Sequence, residues 1–144
     1  MDARHPLPRC WLMTDERLGD RLLSTVERLP AEAGILFRPY GLAPAARRAL
    51  FEKGRRAAGG RMLLLAGPSA EWGADGSHGR GPAEGLRTAP AHDLAEIRAA
   101  EAAGARLVFL SPVFATRSHP GAPALGPDRF AALAAQTELP VIAL

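Results

Sequence analysis

The stretch Leu107–Gly126, LVFLSPVFATRSHPGAPALG, decides the fold. It opens on four apolar residues without polar alternation, the pattern of a strand covered on both faces. It then enters a segment too long and too rich in proline and glycine to be a plain turn. Working outward, Asp93–Ala103 reads as a helix stopped by Gly104. On the other side, Pro127–Thr137 reads as a helix that buries Phe130, Leu133 and Ala134, and Pro140–Leu144 (PVIAL) reads as a strand. Helix, strand, helix, strand is the rhythm of βαβ units and a parallel sheet.

The same rhythm runs back to the beginning. Cys10–Thr14 (CWLMT) reads as a strand and Arg17–Leu29 as a helix, with Leu18, Leu22, Val26 and Leu29 on one face. Gly34–Arg38 (GILFR) is a second strand, and Pro44–Ala58 a helix with proline in its first turn. Arg61–Ala66 (RMLLLA) is a third strand, Gly73–His78 (GADGSH) a short fourth and Gly85–Thr88 a weak fifth. With Leu107–Leu110 and Pro140–Leu144 that makes seven strands in one domain, residues 1–144. The residues alone leave two architectures open, a doubly wound open sheet and a (β/α)8 barrel. No G-x-G-x-x-G follows the first strand, where a dinucleotide fold places it. An open sheet tolerates a chain that ends on a strand, whereas a barrel closes only with an eighth.

Composition bounds the function. The chain has 144 residues, 47% hydrophobic and 23% charged, with 29 alanines and only 6% aromatics. These are globular proportions, enough for one core. No apolar run reaches the ~20 residues that cross a bilayer. Met1–Pro8 carries Asp2, Arg4 and His5 and no apolar core, so a secretory leader is not expected and a cytoplasmic protein is. The net charge is +3, and Lys53 is the only lysine among 18 basic residues. Arg47, Arg48, Lys53, Arg55 and Arg56 fall at helical spacing and read as the solvated face of an amphipathic helix. Neither nucleic acid nor a membrane is therefore expected as partner. Cys10 is alone, so no disulfide or cysteine metal cluster forms, and its place between Arg9 and Trp11 suggests a buried thiol.

In a parallel α/β fold the functional groups lie at the C-terminal ends of the strands. Those ends carry Thr14 and Asp15, Arg38, Gly67, His78, His92, and the segment Ser111–His119. In that segment Thr116 and Ser118 alternate as hydroxyl donors beside Arg117 and His119. Hydroxyls, amides and cations on one loop suit a phosphate, and a solvated loop with helix-capping hydroxyls gives the same pattern. His78 and His92 are candidate acid/base groups. No H-x-x-x-H or H-E-x-x-H occurs, and no metal site is expected.

Taken in order, WLMTD (Trp11–Asp15), GADGSH (Gly73–His78), HDLAEIRAAEAAG (His92–Gly104), SPVFATRSHPGAPALG (Ser111–Gly126) and PVIAL (Pro140–Leu144) resemble thiamine phosphate synthases and their TenI-like relatives. The family pattern reads L-x-x-V-T-D, G-A-D-G-V-H-L, S-x-H, G-P-V-F-x-T-x-T-K and P-V-x-A-I-G-G. The resemblance implies a (β/α)8 TIM-barrel, here incomplete with seven strands, acting in thiamine synthesis on a thiazole phosphate. Of the two branches, the synthase joins that thiazole to a pyrimidine diphosphate with Mg²⁺; the TenI-like branch includes a metal-free thiazole tautomerase. The resemblance makes His92 the acid/base group and gives Arg38, Thr116, Ser118, His119 and His78 to the phosphorylated substrate. It also exposes departures. Ala66 and Gly67 stand where the family has N-D with the Mg²⁺-holding aspartate, Pro90 stands for the serine of S-x-H, and His119 for the lysine of T-x-T-K. The second Mg²⁺ carboxylate falls in Gly79–Ala83, which has none. No metal cofactor is then expected, and the residues lean toward the metal-free branch or toward a non-catalytic binder. The first and seventh strands would be exposed edges, which invite a second copy of the chain.

Overall fold

The computed structural model describes residues 6–38, 41–67, 72–79, 85–117 and 120–144. Seven strands hydrogen-bond in the order of the sequence. They are β1 (Trp11–Met13), β2 (Gly34–Phe37), β3 (Leu63–Ala66), β4 (Gly76–His78), β5 (Leu86–Ala91), β6 (Leu107–Leu110) and β7 (Val141–Ala143). The pairs β1–β2, β2–β3, β5–β6 and β6–β7 are parallel. A doubly wound sheet reverses its strand order at a switch point, and no reversal occurs here. Sequential order belongs to the (β/α)8 TIM-barrel type, of which seven strands are present. The chain divides into two compact units, residues 1–77 with 81–85 and residues 78–80 with 86–144.

In the first unit, α1 (Leu22–Glu27) packs against α2 (Pro44–Ala58). Their shared core joins Leu22, Val26, Phe51 and Ala58 to Ile35 and Phe37 of β2 and Leu63 and Leu65 of β3. The alternate strand residues, Leu36 and Leu64, are also fully buried. Both faces of these strands are therefore covered, which is why their sequence shows no polar alternation. Phe51 meets Phe37 edge-on at 5.5 Å, a favoured aromatic geometry. Trp11 lies across the backbone of Gly34, where a Cβ would stand 2.4 Å from its ring; only glycine allows that approach.

In the second unit, α3 (Leu94–Ala102) and α4 (Gly126–Ala134) cover β5, β6 and β7. Ala91, Ile97, Leu110 and Leu133 form one cluster, and Ala100, Ala105 and Val108 another. Leu107 and Phe109, the alternate residues of β6, are buried as well. The Thr137 hydroxyl donates to Glu101, tying the segment after α4 to α3. That bond, and then Arg98, hold the Glu101 carboxyl below its ordinary range.

Several sequence expectations change. The helix expected over Arg17–Leu29 is a 3-10 turn, Glu16–Arg21, followed by the short α1. Gly19 breaks it at φ 49°, a conformation open to glycine. The strand expected over Gly73–His78 begins only at Gly76. The strand expected over Gly85–Thr88 runs on to Ala91, through Pro90. The Thr88 carbonyl accepts from the Gly79 amide, and the proline nitrogen falls on that same side, past the end of β4 at His78, so the missing N–H is tolerated. Cys10 is exposed rather than buried, because β1 starts one residue later at Trp11. Phe130 and Ala134 are half-buried, leaving Leu133 as the buried residue of α4.

One side chain ties the lower loops of the first unit together. The Arg61 guanidinium donates to the carbonyls of Glu27, Leu29, Pro30 and Ala58, groups left over at the ends of α1 and α2. Arg61→Ala is expected to cost about 2–3 kcal/mol in urea denaturation. A cost below about 0.5 kcal/mol, the size of an ordinary surface change, contradicts this role.

Candidate functional site

At the C-terminal end of β1, Thr14 is buried. Its hydroxyl accepts from the Arg38 amide at 2.8 Å, and its carbonyl accepts from Arg38 Nε at 3.2 Å. Thr14 thus fixes Arg38, the residue after β2, at both backbone and side chain. The two Nη groups of Arg38 make no hydrogen bond among the described residues. They are the part of the side chain left for an anion. A cavity of about 300 Å³ opens beside it, lined by Thr14, Asp15, Phe37, Arg38, Leu42 and Leu50 among others.

Asp15 follows Thr14 and caps the 3-10 turn, accepting from the Arg17 amide at 2.8 Å. Arg17 also pairs with it through Nε and Nη2. The Arg17 side chain and then its amide pull the Asp15 carboxyl from 3.8 to about 2. Because the folded value is depressed, the stabilisation is present above the unfolded value near 3.9 and is lost as pH falls through about 2.

The third strand ends at Ala66 and Gly67, and neither offers a side-chain oxygen. The Arg47 guanidinium occupies this end, with Nη2 donating to the Ala66 carbonyl. Arg47 is half-buried, while Arg48, Lys53, Arg55 and Arg56 are exposed. The expected solvated face therefore holds for four cations and fails for the fifth, which reaches over the strand end. Among the described residues this strand end offers a divalent cation a guanidinium and no carboxylate, a poor fit. Among the described residues no group of three His, Cys, Asp or Glu could hold a metal ion.

The second unit carries the histidines. His78 ends β4 with 7% exposure, its Nδ1 2.9 Å from the Thr88 hydroxyl and its ring edge-on to Phe109 at 5.3 Å. The ring is thereby fixed in the core rather than presented on a loop. His92, just past β5, is exposed. Its Nδ1 lies 2.7 Å from Glu96 Oε2, and its amide donates to the same oxygen at 2.7 Å. Asp93 caps α3 by accepting from the Glu96 amide at 2.8 Å. The arrangement resembles a capping box, except that the Glu96 carboxylate bonds the amide and imidazole of His92, one residue before the cap. An ionised carboxylate only accepts, so in this contact Nδ1 is the donor and Nε2 is left outside the pair.

The loop after β6 is pinned at its base. Leu125 and Gly126 amides donate to the Pro112 and Val113 carbonyls, and the Val113 amide donates to Leu144. Val113 is buried beneath it, Thr116 is half-buried, and Phe114 is 70% exposed. Ser118 and His119 lie outside the described residues. Glu96 and Arg47 escaped the sequence reading. The D-x-x-E spacing of Asp93 and Glu96 was a usable signal for the first; nothing marked Arg47 apart from its neighbours.

The Asp15 assignment is checked by an NMR carboxyl titration. A midpoint near pH 2 is expected, returning toward 3.8 in Arg17→Ala. A midpoint that Arg17→Ala leaves in place contradicts it.

No curated protein matches this chain. A family model described as thiamine monophosphate synthase matches residues 88–144, the stretch that holds His92, Glu96 and the loop after β6. The solved structure of a thiamine phosphate pyrophosphorylase from Pyrococcus furiosus superposes with a TM-score of 0.75 at 20% identity, covering 99% of this chain and 77% of that one. That likeness shows the barrel-type fold along the chain, and residues 88–144 are similar to the thiamine monophosphate synthase family.

Proposed function

We propose that this protein binds a phosphorylated thiazole and moves a proton on it, with His92 as the acid/base group and no metal. The observation that carries the reading is the His92–Glu96 pair: a carboxylate on Nδ1 leaves Nε2 as the proton acceptor. Carboxylate-oriented imidazoles act this way in general acid–base catalysis. The reaction removes a proton at one position of the heterocycle and returns one at another. Atoms and charge balance without a co-reactant. Glu96 acts through the histidine and is a positioning residue.

The phosphate is assigned to Thr116, with Ser118 and His119 on the same loop; Arg38, in the first unit, is proposed separately as an anion-binding cation. Hydroxyl donors on the one and guanidinium Nη groups on the other each suit an anion. His78 is proposed to support this part of the barrel through Thr88 and Phe109 rather than to donate to the ligand directly. Coupling to a pyrimidine diphosphate with Mg²⁺ is not proposed, because a diphosphate leaving group needs its charge neutralised and, among the described residues, the end of β3 carries no carboxylate.

Calorimetry with the thiazole phosphate, with a tautomerase assay beside it, tests the reading. Binding and turnover in EDTA are expected. His92→Ala should lower kcat by about 10²–10⁴-fold, the usual contribution of one acid/base group, with little change in affinity. Thr116→Ala should weaken binding with kcat retained. Binding without turnover, unaltered by His92→Ala, would show a non-catalytic binder. Product formation from the thiazole and pyrimidine diphosphate that depends on Mg²⁺ refutes the metal-free assignment.

A further inference from the structure

We propose that a cavity at the N-terminal ends of the first unit's strands is a second binding site, which takes a small zwitterion whose ammonium and carboxylate stand at opposite ends, as in a short peptide. The cavity has a volume of about 480 Å³, within the ~300–1,000 Å³ of small-molecule sites. Its walls come from the segments that lead into the strands: Pro8 ahead of β1, Glu32 ahead of β2, Arg61 ahead of β3 and Asp75 ahead of β4, with Arg55 of α2 beside them. Arg38, by contrast, follows the C-terminal end of β2. The cavity shares no lining residue with the site proposed for the thiazole phosphate.

The walls are preformed. Arg61 is pinned by the carbonyls of Glu27, Leu29, Pro30 and Ala58. Asp75 is tied twice to β3: its amide donates to the Leu63 carbonyl at 2.9 Å, and its Oδ2 accepts from the Leu63 amide at 2.8 Å. Arg55 is steadied by Glu52 through Nη2 at 3.0 Å. Its Nη1 lies on the side of Gly73, where a Cβ would stand 3.8 Å from it. Gly59 and Gly60 line the cavity without side chains, and a Cβ at either would meet no atom within 4 Å.

The charges on these walls select the ligand. Arg55 and Arg61 are positive, and Glu32 and Asp75 are exposed carboxylates. A plain anion would face the two carboxylates, and a plain cation the two guanidinium groups. A ligand that carries both charges meets an opposite charge at each end. Arg61 spends its donors on backbone carbonyls, so the ligand carboxylate falls to Arg55, whose planar fork suits it. An ammonium only donates and falls to Asp75 and Glu32. Gly73, beside Arg55, and Asp75 are two residues apart, at most ~7 Å of chain. That spacing fits the ends of a dipeptide better than the adjacent charges of one α-amino acid.

This site stands apart from proton transfer by His92, and neither reading depends on the other. The probe is glycylglycine, titrated into the full chain and followed by the amide resonances of Gly59, Gly60 and Gly73. These three are expected to shift together along one saturating curve. Two blocked probes need no variant: N-acetylglycylglycine lacks the ammonium and glycylglycinamide lacks the carboxylate. Each should bind at least about tenfold more weakly, the loss of a charge-assisted hydrogen bond. Arg55→Gln, at an exposed helix position, and Asp75→Asn, which keeps an oxygen for the Leu63 amide, should each weaken glycylglycine by a similar factor. Glycine resonances that do not move at saturating probe, blocked probes that bind as well as glycylglycine, or binding that both substitutions leave unaltered overturns the proposal.

Discussion

Burial of the parallel strands on both faces is the constraint from which the rest of this structure follows. Ile35, Leu36, Phe37, Leu63, Leu64 and Leu65 are each at most 3% exposed, and so are Leu107 to Leu110. Such strands leave almost no place for a polar group within the sheet; each unpaired one would cost about 1–3 kcal/mol. The exceptions show the rule. Thr14 bonds the Arg38 amide, and Thr88 bonds His78. Other polar chemistry is displaced to the loops at the strand ends. Arg38, His92 and Thr116 are found there, and Arg47 reaches the end of β3 from α2.

Three of these positions share a local device, in which a backbone-satisfying contact also orients a functional group. Thr14 receives the Arg38 amide and its carbonyl receives Arg38 Nε. Glu96 receives the His92 amide and fixes the His92 ring. Arg47 satisfies the Ala66 carbonyl at the end of β3 and thereby stations a cation where the resemblance implies carboxylates. In the first two, stability and the proposed function draw on the same bond. A side chain so held loses little further entropy when a ligand arrives.

The strands were the most legible part of the fold. The apolar runs GILF, LLLA and LVFL lie in β2, β3 and β6, because burial on both faces leaves an unbroken signature. The helix Pro44–Ala58 was readable for its proline start and its cations at helical spacing. Legibility failed where local and long-range effects compete. Gly19 splits an amphipathic pattern that otherwise reads as one helix, and Pro90 sits in a strand only because of where its neighbour ends. Of the site, Arg38, His92 and Thr116 were visible as residues at strand ends. The partners of Arg38 and Arg47 were harder. The bond between Thr14 and Arg38 spans 24 residues, and the reach of Arg47 to Ala66 spans 19. Neither spacing has a sequence period.

A histidine held by a carboxylate is proposed to move a proton on a phosphorylated thiazole without a metal. Incubation of that compound with the protein in D₂O and EDTA, followed by NMR, reads the event itself. Deuterium should enter the heterocycle at a rate well above the protein-free solution, and His92→Ala should reduce that rate to the blank. Exchange no faster than the blank with the wild-type protein, under conditions where calorimetry shows the compound bound, would contradict it.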